Sequence, residues 1–97
     1  MALKSDLLLL NIDKSGIANV VEINSEQIDE NNILFLIDEK NNKNWLYIGE
    51  KVSFIHKRGA MRVANSLKKF GYEIEGSIFG RKCSNLVIID KTGDDND

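Results

Sequence analysis

The residues whose types and spacing could do chemistry are concentrated in one basic segment, residues 51–70. This segment, KVSFIHKRGAMRVANSLKKF, carries a positive charge at six positions and has no acidic residue. The six are Lys51, Lys57, Arg58, Arg62, Lys68 and Lys69. The whole chain is slightly acidic, with 15 Asp and Glu residues against 13 Lys and Arg residues. Because clustered cations attract anionic surfaces, the chemistry that this segment favours is partner binding.

Catalytic chemistry has little support in the sequence. The chain has a single histidine, His56, no phosphate-binding loop of the GxxxxGK type, and no set of Ser, His and Asp residues that can be placed as a triad. Cys83 is the single cysteine, so it forms no intrachain disulfide. Arg81 and Lys82 could activate its thiol, but a lone cysteine in a small domain is most often an inert packing residue. We therefore expect a protein that is not an enzyme.

The length and composition predict one small soluble domain. We expect residues 1–97 to form a single domain, with the folded part over about residues 5–91 and a disordered acidic tail at 92–97. The longest apolar runs, LLLL and ILFLI, are far shorter than the roughly 20 residues of a membrane span. The first residues, MALKSD, lack the pattern of a signal peptide. These features favour a cytoplasmic protein.

The elements that must position the basic segment can be predicted from periodicity and turn residues. Strands are predicted at residues 7–12, 17–23, 33–38, 45–49, 72–76 and 86–90. A helix is predicted over residues 54–70, with Ser53 as its N-cap and Gly71 directly after its end. Residues 77–85, SIFGRKCSN, fit either a loop or one helical turn. The order β-β-β-β-α-β-β predicts an α+β domain in which a mixed sheet carries the helix on one face.

The predicted helix has two different faces. The face expected to lie on the sheet holds, with His56 at its edge, Ala60, Val63, Ala64, Leu67 and Phe70. The outer face mixes cations with large apolar side chains and holds Phe54, Ile55, Arg58, Met61, Arg62, Asn65, Lys68 and Lys69. A solvated helix face usually alternates acids with bases, whereas this one places like charges such as Arg58 and Arg62 one turn apart. We therefore interpret the outer face as a partner-binding surface.

Three kinds of partner fit a surface of this composition. Nucleic acid is disfavoured, because the rest of the chain is acidic and no DNA-binding motif or aromatic stacking platform is present. A membrane rich in anionic lipid fits the apolar residues beside the charges. An acidic protein groove that accepts a helix is the third candidate.

The arrangement of motifs resembles a gelsolin-like domain, the repeat unit of gelsolin, villin and severin. The residues that carry the resemblance are Ile28, Asn31-Asn32, the strand Leu34 to Asp38, Tyr47-Ile48-Gly49, and Lys57-Arg58-Gly59-Ala60. The opening stretch LLLLNIDKSGIANVVEI is similar to the first hairpin of the family, so the resemblance covers about 85 of the 97 residues. No single motif is highly specific, and the weight lies in their order along one continuous stretch.

The resemblance implies an α/β/α layered fold and actin as the partner. It implies a five- or six-stranded mixed sheet between the long helix and a shorter helix, which SIFGRKCSN would supply in short or vestigial form. The outer face of the long helix would then enter the cleft between two actin subdomains. Phosphoinositide binding through the same basic helix is a second activity that the family implies. The alternative is an adaptor or coat-type module that uses the fold without binding actin.

The resemblance also bears on metal binding and on the mode of actin regulation. The family's calcium ligands match Asn32 and His56 here, and because imidazole is a poor ligand for a hard cation, we expect no cofactor and no calcium at that site. Severing requires two actin sites at once, so a single domain that is a monomer or a weak homodimer is expected to sequester monomers, cap filaments or modulate them weakly.

Overall fold

The computed structural model describes residues 7–80 and 85–92. Its strands are β1 (Leu7–Ile12), β2 (Ala18–Val21), β3 (Ile33–Asp38), β4 (Lys43–Ile48), β5 (Tyr72–Ile74), β6 (Ser77–Phe79) and β7 (Asn85–Asp90). A single turn of 3-10 helix spans Ser25–Gln27, and α1 spans Phe54–Phe70. The predicted helix and all six predicted strands are present, with strand ends shifted by up to two residues. Cys83 and residues 93–97 lie outside the described residues.

Five strands form one mixed sheet in the order β2-β1-β3-β4-β7. The first four are antiparallel to their neighbours, and β7 joins the edge of β4 in parallel. A parallel neighbour needs a long crossover connection, which α1 and the β5–β6 hairpin supply between β4 and β7. This mixed sheet with one long helix confirms the predicted fold class.

The core lies between α1 and one face of the sheet. Alternate residues of the three central strands point toward the helix, among them Leu10, Phe35 and Leu46, which are fully buried. The helix contributes His56, Ala60, Ala64 and Leu67 to this layer. The two alanines bring the helix close to the strands because they add so little volume.

Phe70 does not join this inner stripe, contrary to the sequence prediction. Its side chain is 65% exposed. The reason is the position of the helix end: Gly71, at φ 78°, turns the chain away directly after Phe70, and the Gly71 N–H donates to the Leu67 carbonyl. The last buried helix residue is therefore Leu67. Tyr72 and Ile74, which follow the turn, pack against the core from the side.

The segment after the helix forms a separate two-stranded hairpin. β5 and β6 pair antiparallel, and the turn between them places Glu75 and Gly76 at positive φ, as a two-residue hairpin loop requires. The prediction that SIFGRKCSN supplies a loop or short helix is thus wrong for Ser77–Phe79, which is a strand. Phe79 is buried in the core, and the Gly80 N–H donates to the Glu39 carboxylate at 2.6 Å.

The sheet face opposite α1, here called the distal face, has a much thinner cover. Among residues 7–80 and 85–92, the one helical element other than α1 is the 3-10 turn Ser25–Gln27. Asn24 caps this turn, since its Oδ1 accepts the Glu26 N–H at 2.9 Å. The turn and its flanking residues Ile23 and Ile28 line a groove with Leu9, Leu34 and other residues of the distal face.

Candidate protein-binding surface

The first turn of α1 is fixed by contacts that leave its outer side open. The Ser53 side chain accepts the His56 N–H at 3.1 Å, as an N-cap does. The His56 ring is buried, and its Nε2 donates to the Ile12 carbonyl at 2.8 Å, which ties the helix to the end of β1. With this anchor on the inner side, Phe54 and Ile55 point outward and are 59% and 81% exposed.

Cations stand beside these two apolar side chains. Arg58 and Arg62 are exposed, and the Arg58 guanidinium lies 5.7 Å from the centre of the Phe54 ring. Neither arginine has an ion pair within the described parts of the chain. We refer to Phe54, Ile55, Arg58 and Arg62 as the cationic face.

The cationic face forms one wall of a groove, and the β1–β2 turn forms the other. The cavity measures about 350 Å³ and is lined on the turn side by Lys14, Ser15 and Gly16. Gly59 also lines it, and because Gly59 has no side chain the groove cuts into the helix surface. These turn residues could not be predicted as part of the surface, since nothing in the local pattern DKSG indicates which side of the helix the turn faces.

The β1–β2 turn has a defined shape because Asp13 organises it. The Asp13 carboxylate accepts the Ser15 N–H at 2.9 Å and the Ile17 N–H at 3.0 Å. The bond from Ile17 is the main reason that the pKa of Asp13 lies below its ordinary value. Gly16 adopts φ 80°, a left-handed conformation that suits glycine. Lys14 is thereby held beside the cationic face and extends its charge.

Two of the six cations in the basic segment serve the fold. Lys51 pairs with Glu30 at 3.3 Å on the surface. Lys57 pairs with Asp90, with the two side chains only 13% and 18% exposed, and also donates to Thr92 Oγ1 at 3.0 Å. These contacts link α1 to the end of β7 at the edge of the sheet. The charge open to a partner is therefore carried by Arg58, Arg62, Lys68 and Lys69.

The Lys57–Asp90 pair makes stability depend on pH. Burial, the largest influence, would raise the pKa of Asp90, but hydrogen bonds from Lys57 and Thr92 outweigh it and hold the pKa below the ordinary 3.8. A lowered folded-state pKa stabilises the fold above the unfolded value, and the gain is lost as pH falls through the folded value. We predict that Asp90→Asn costs about 1–2 kcal/mol at neutral pH and progressively less below pH ~4.

Urea unfolding of both proteins across this pH range measures the difference. Glu22→Gln is the matched control because Glu22 is an exposed acid with no ion pair within residues 7–80 and 85–92. A difference between wild type and Asp90→Asn that stays constant down to pH ~3 would show that the carboxylate charge is irrelevant.

The remaining residues predicted for the binding surface are spread along the helix. Met61 is half-buried and packs against the core, so it is a flank of the helix and not an outward anchor. Asn65, Lys68 and Lys69 are exposed and line a second depression of about 530 Å³ that also includes Phe70. The Lys69 ammonium lies 5.9 Å from the Phe70 ring centre. The structure thus separates the predicted set into an N-terminal groove and a C-terminal patch.

The positions that match the family's calcium ligands have other partners. Asn32 donates from its side chain to the Gln27 carbonyl at 2.9 Å, and His56 is bonded to Ile12. Within residues 7–80 and 85–92, no cluster of three or more His, Cys, Asp or Glu residues could hold a metal ion. Both side chains act in this structure as links between segments of the fold.

A five-stranded mixed sheet with one long helix on its face is consistent with the gelsolin-like fold that the sequence resemblance predicted. The sequence matches no protein-family model and has no significant match among curated proteins. Solved structures do match. Thorarchaeota ProGel, in a crystal structure with rabbit actin, aligns with a TM-score of 0.68 at 18% identity, over 91% of this chain and 89% of ProGel.

A second solved structure, Thorarchaeota 2DGel3 in complex with rabbit actin, also matches. It aligns with a TM-score of 0.58 at 12% identity over 89% of this chain, and the match spans 40% of the 2DGel3 chain. At these identities the likeness establishes the fold, and the function has to be argued from the surface itself.

Proposed function

We propose that this protein is a non-catalytic actin-binding domain that engages actin with the cationic face of α1. The observation that carries the proposal is the exposure of Phe54 and Ile55 beside two arginines that have no ion pair within residues 7–80 and 85–92, on a helix whose first turn is fixed by hydrogen bonds. Large apolar side chains that stay exposed next to charge are typical of binding surfaces. The likeness to ProGel, which was crystallised with actin, supports actin as the partner.

The two components of the surface have different roles in this proposal. Phe54 and Ile55 supply apolar area that is buried on docking, while Arg58 and Arg62 steer the approach and fix orientation against an acidic groove. Lys14 adds a third charge at the rim, and the patch at Lys68 and Lys69 extends the contact along the helix. We place the protein in the cytoplasm because the proposed partner is actin. Within residues 7–80 and 85–92, no helix has the length and apolar character to cross a membrane.

Actin assembly followed by pyrene fluorescence tests the proposal and separates the modes. Sequestration of monomers is expected to lower the final polymer level in proportion to added protein. Capping would slow elongation at far smaller amounts, and weak filament modulation would appear as co-sedimentation with little change in rate. If the purified protein changes neither the polymer level nor the elongation rate and does not co-sediment with filaments, the actin proposal fails. That result would favour the adaptor or coat-type alternative.

A second candidate ligand is the phosphoinositide headgroup. Lys14, Arg58 and Arg62 line one cavity of about 350 Å³, which brings three cations together around a space that an anionic group could occupy. Binding of this kind is mainly electrostatic, so flotation with phosphoinositide vesicles should be strong in low salt and collapse as salt rises. Flotation that is insensitive to salt would contradict this second candidate.

A further inference from the structure

The distal face of the sheet carries an apolar groove of about 430 Å³. Its floor is formed by residues that alternate with the core residues along the strands: Leu9, Leu34, Leu36, Trp45, Tyr47 and Ile89. The wall on one side consists of Ile23, Asn24, Ser25 and Ile28. We call this feature the distal groove.

The distal groove leaves large apolar side chains in water. Ile23 and Ile28 are 55% and 62% exposed, and Ile89 is 38% exposed. A sheet with apolar residues on both faces is normally covered on both, and α1 covers only one of them. An apolar depression with a polar rim is the usual form of a docking site.

The acidic residues beside the distal groove indicate which kind of partner it would bind. The wall segment, residues 22–30, contains four acids and no base: Glu22, Glu26, Asp29 and Glu30. Glu30 is paired with Lys51, whereas the other three have no ion pair within the described parts of the chain. Lys43 also lies near the floor, where its ammonium is 5.5 Å from the centre of the Trp45 ring. An apolar ligand that carries positive charge therefore fits best.

We propose that the distal groove binds the cationic face of α1 from a second copy of this chain. That face offers Phe54 and Ile55 to the apolar floor and Arg58 and Arg62 to the acidic wall. On docking, α1 of the second copy would form a third layer on the distal face of the first copy's sheet. This layer lies opposite the first copy's own α1. The contact joins two different surfaces, so it is head-to-tail and can extend beyond a dimer.

The association is expected to be weak and salt-sensitive. One helix face in one groove falls below the roughly 1,200 Å² of a stable interface, so the copies should be mainly monomeric when dilute. If the proposed function also holds, self-association would cover the actin-binding surface, and actin would compete with it. This consequence rests on the proposed function, whereas the self-association does not.

Sedimentation velocity of the full chain over a concentration series tests the proposal with two variants. Arg58→Glu with Arg62→Glu disables the helix surface, and Ile28→Lys disables the groove at an exposed position that the fold can accept. Wild type should show a mass that rises with concentration past that of a dimer and falls in high salt. Each variant alone should stay monomeric.

An equimolar mixture of the two variants is the decisive sample. It restores one intact helix face and one intact groove, so a dimer should form and nothing larger. Monomeric wild type at every concentration would overturn the proposal, as would a helix variant that still associates like wild type, which would indicate groove-to-groove pairing. Ile23→Lys repeats the test if Ile28→Lys lowers the melting temperature. Since no actin is present, these results are independent of the actin assay.

Discussion

Replacing both Arg58 and Arg62 with glutamate is expected to weaken binding to monomeric actin by at least about tenfold, which corresponds to ~1.4 kcal/mol or more. The two arginines are exposed, lie one helical turn apart and have no ion pair within residues 7–80 and 85–92. Their reversal therefore removes attraction and adds repulsion, and the contact it takes from the fold is the exposed stacking of Arg58 on the Phe54 ring. Titration of fluorescently labelled actin measures the change, and thermal melting checks that the variant is folded.

Lys40→Glu is the matched control for this change. Lys40 is an exposed cation in the β3–β4 turn, and the antiparallel pairing of β1 with β3 puts that turn at the opposite end of the sheet from the β1–β2 turn. Its reversal should leave affinity within about twofold, since a distant surface charge is largely screened. Equal affinities for wild type and the double arginine variant would show that the cationic face does not contribute to actin binding.

Gly49→Ala is expected to give the largest loss of stability, about 3 kcal/mol, or a fall in melting temperature of roughly 15 °C for a domain of this size. A methyl group at Gly49 would lie 2.6 Å from the Asp29 carbonyl oxygen and closer still to that of Glu30. These are backbone atoms, and both segments are held by hydrogen bonds. The Gly49 N–H donates to the Asn32 carbonyl at 2.9 Å, and the Lys51 N–H donates to the Glu30 carbonyl at 2.7 Å.

Gly59→Ala provides the comparison, because the same change meets no atom within 4 Å there. Gly59 lies inside α1, where alanine is favoured over glycine by about 1 kcal/mol, so this variant should be more stable than wild type. Differential scanning calorimetry should show a lower melting temperature for Gly49→Ala and a higher one for Gly59→Ala. A Gly49→Ala protein as stable as wild type would show that Gly49 lies farther from the Asp29 and Glu30 backbone than it does in this structure.

The parts of the fold that local signals specify could be predicted from the sequence. Ser53, the 3.6-residue spacing of Ala60, Ala64 and Leu67, and Gly71 together determine both ends of α1. The run Ile33–Asp38 is apolar and branched along its whole length, which is typical of a strand covered in the middle of a sheet. The order of such motifs was sufficient to indicate a gelsolin-like fold, although ProGel and 2DGel3 share only 18% and 12% sequence identity with this chain.

The parts that depend on how elements meet in space could not be predicted. Phe70 follows the helical period of the inner stripe, but the chain turns away at Gly71 directly after it and its side chain stays exposed. Nothing in the local sequence distinguishes Lys57 from Arg58, yet Lys57 forms an ion pair with Asp90, which is 33 positions away in the sequence. The approach of the β1–β2 turn to α1, which creates the binding groove, likewise depends on tertiary packing.

Hydrogen–deuterium exchange of dilute protein with and without actin reports which segments actin protects. If actin docks on the cationic face, exchange should slow in the first half of α1, around residues 54–62, and in the β1–β2 turn at 13–16, while residues 22–30 should not change. Protection confined to residues 22–30 or to the β5–β6 hairpin, with α1 unaffected, would contradict docking on the cationic face.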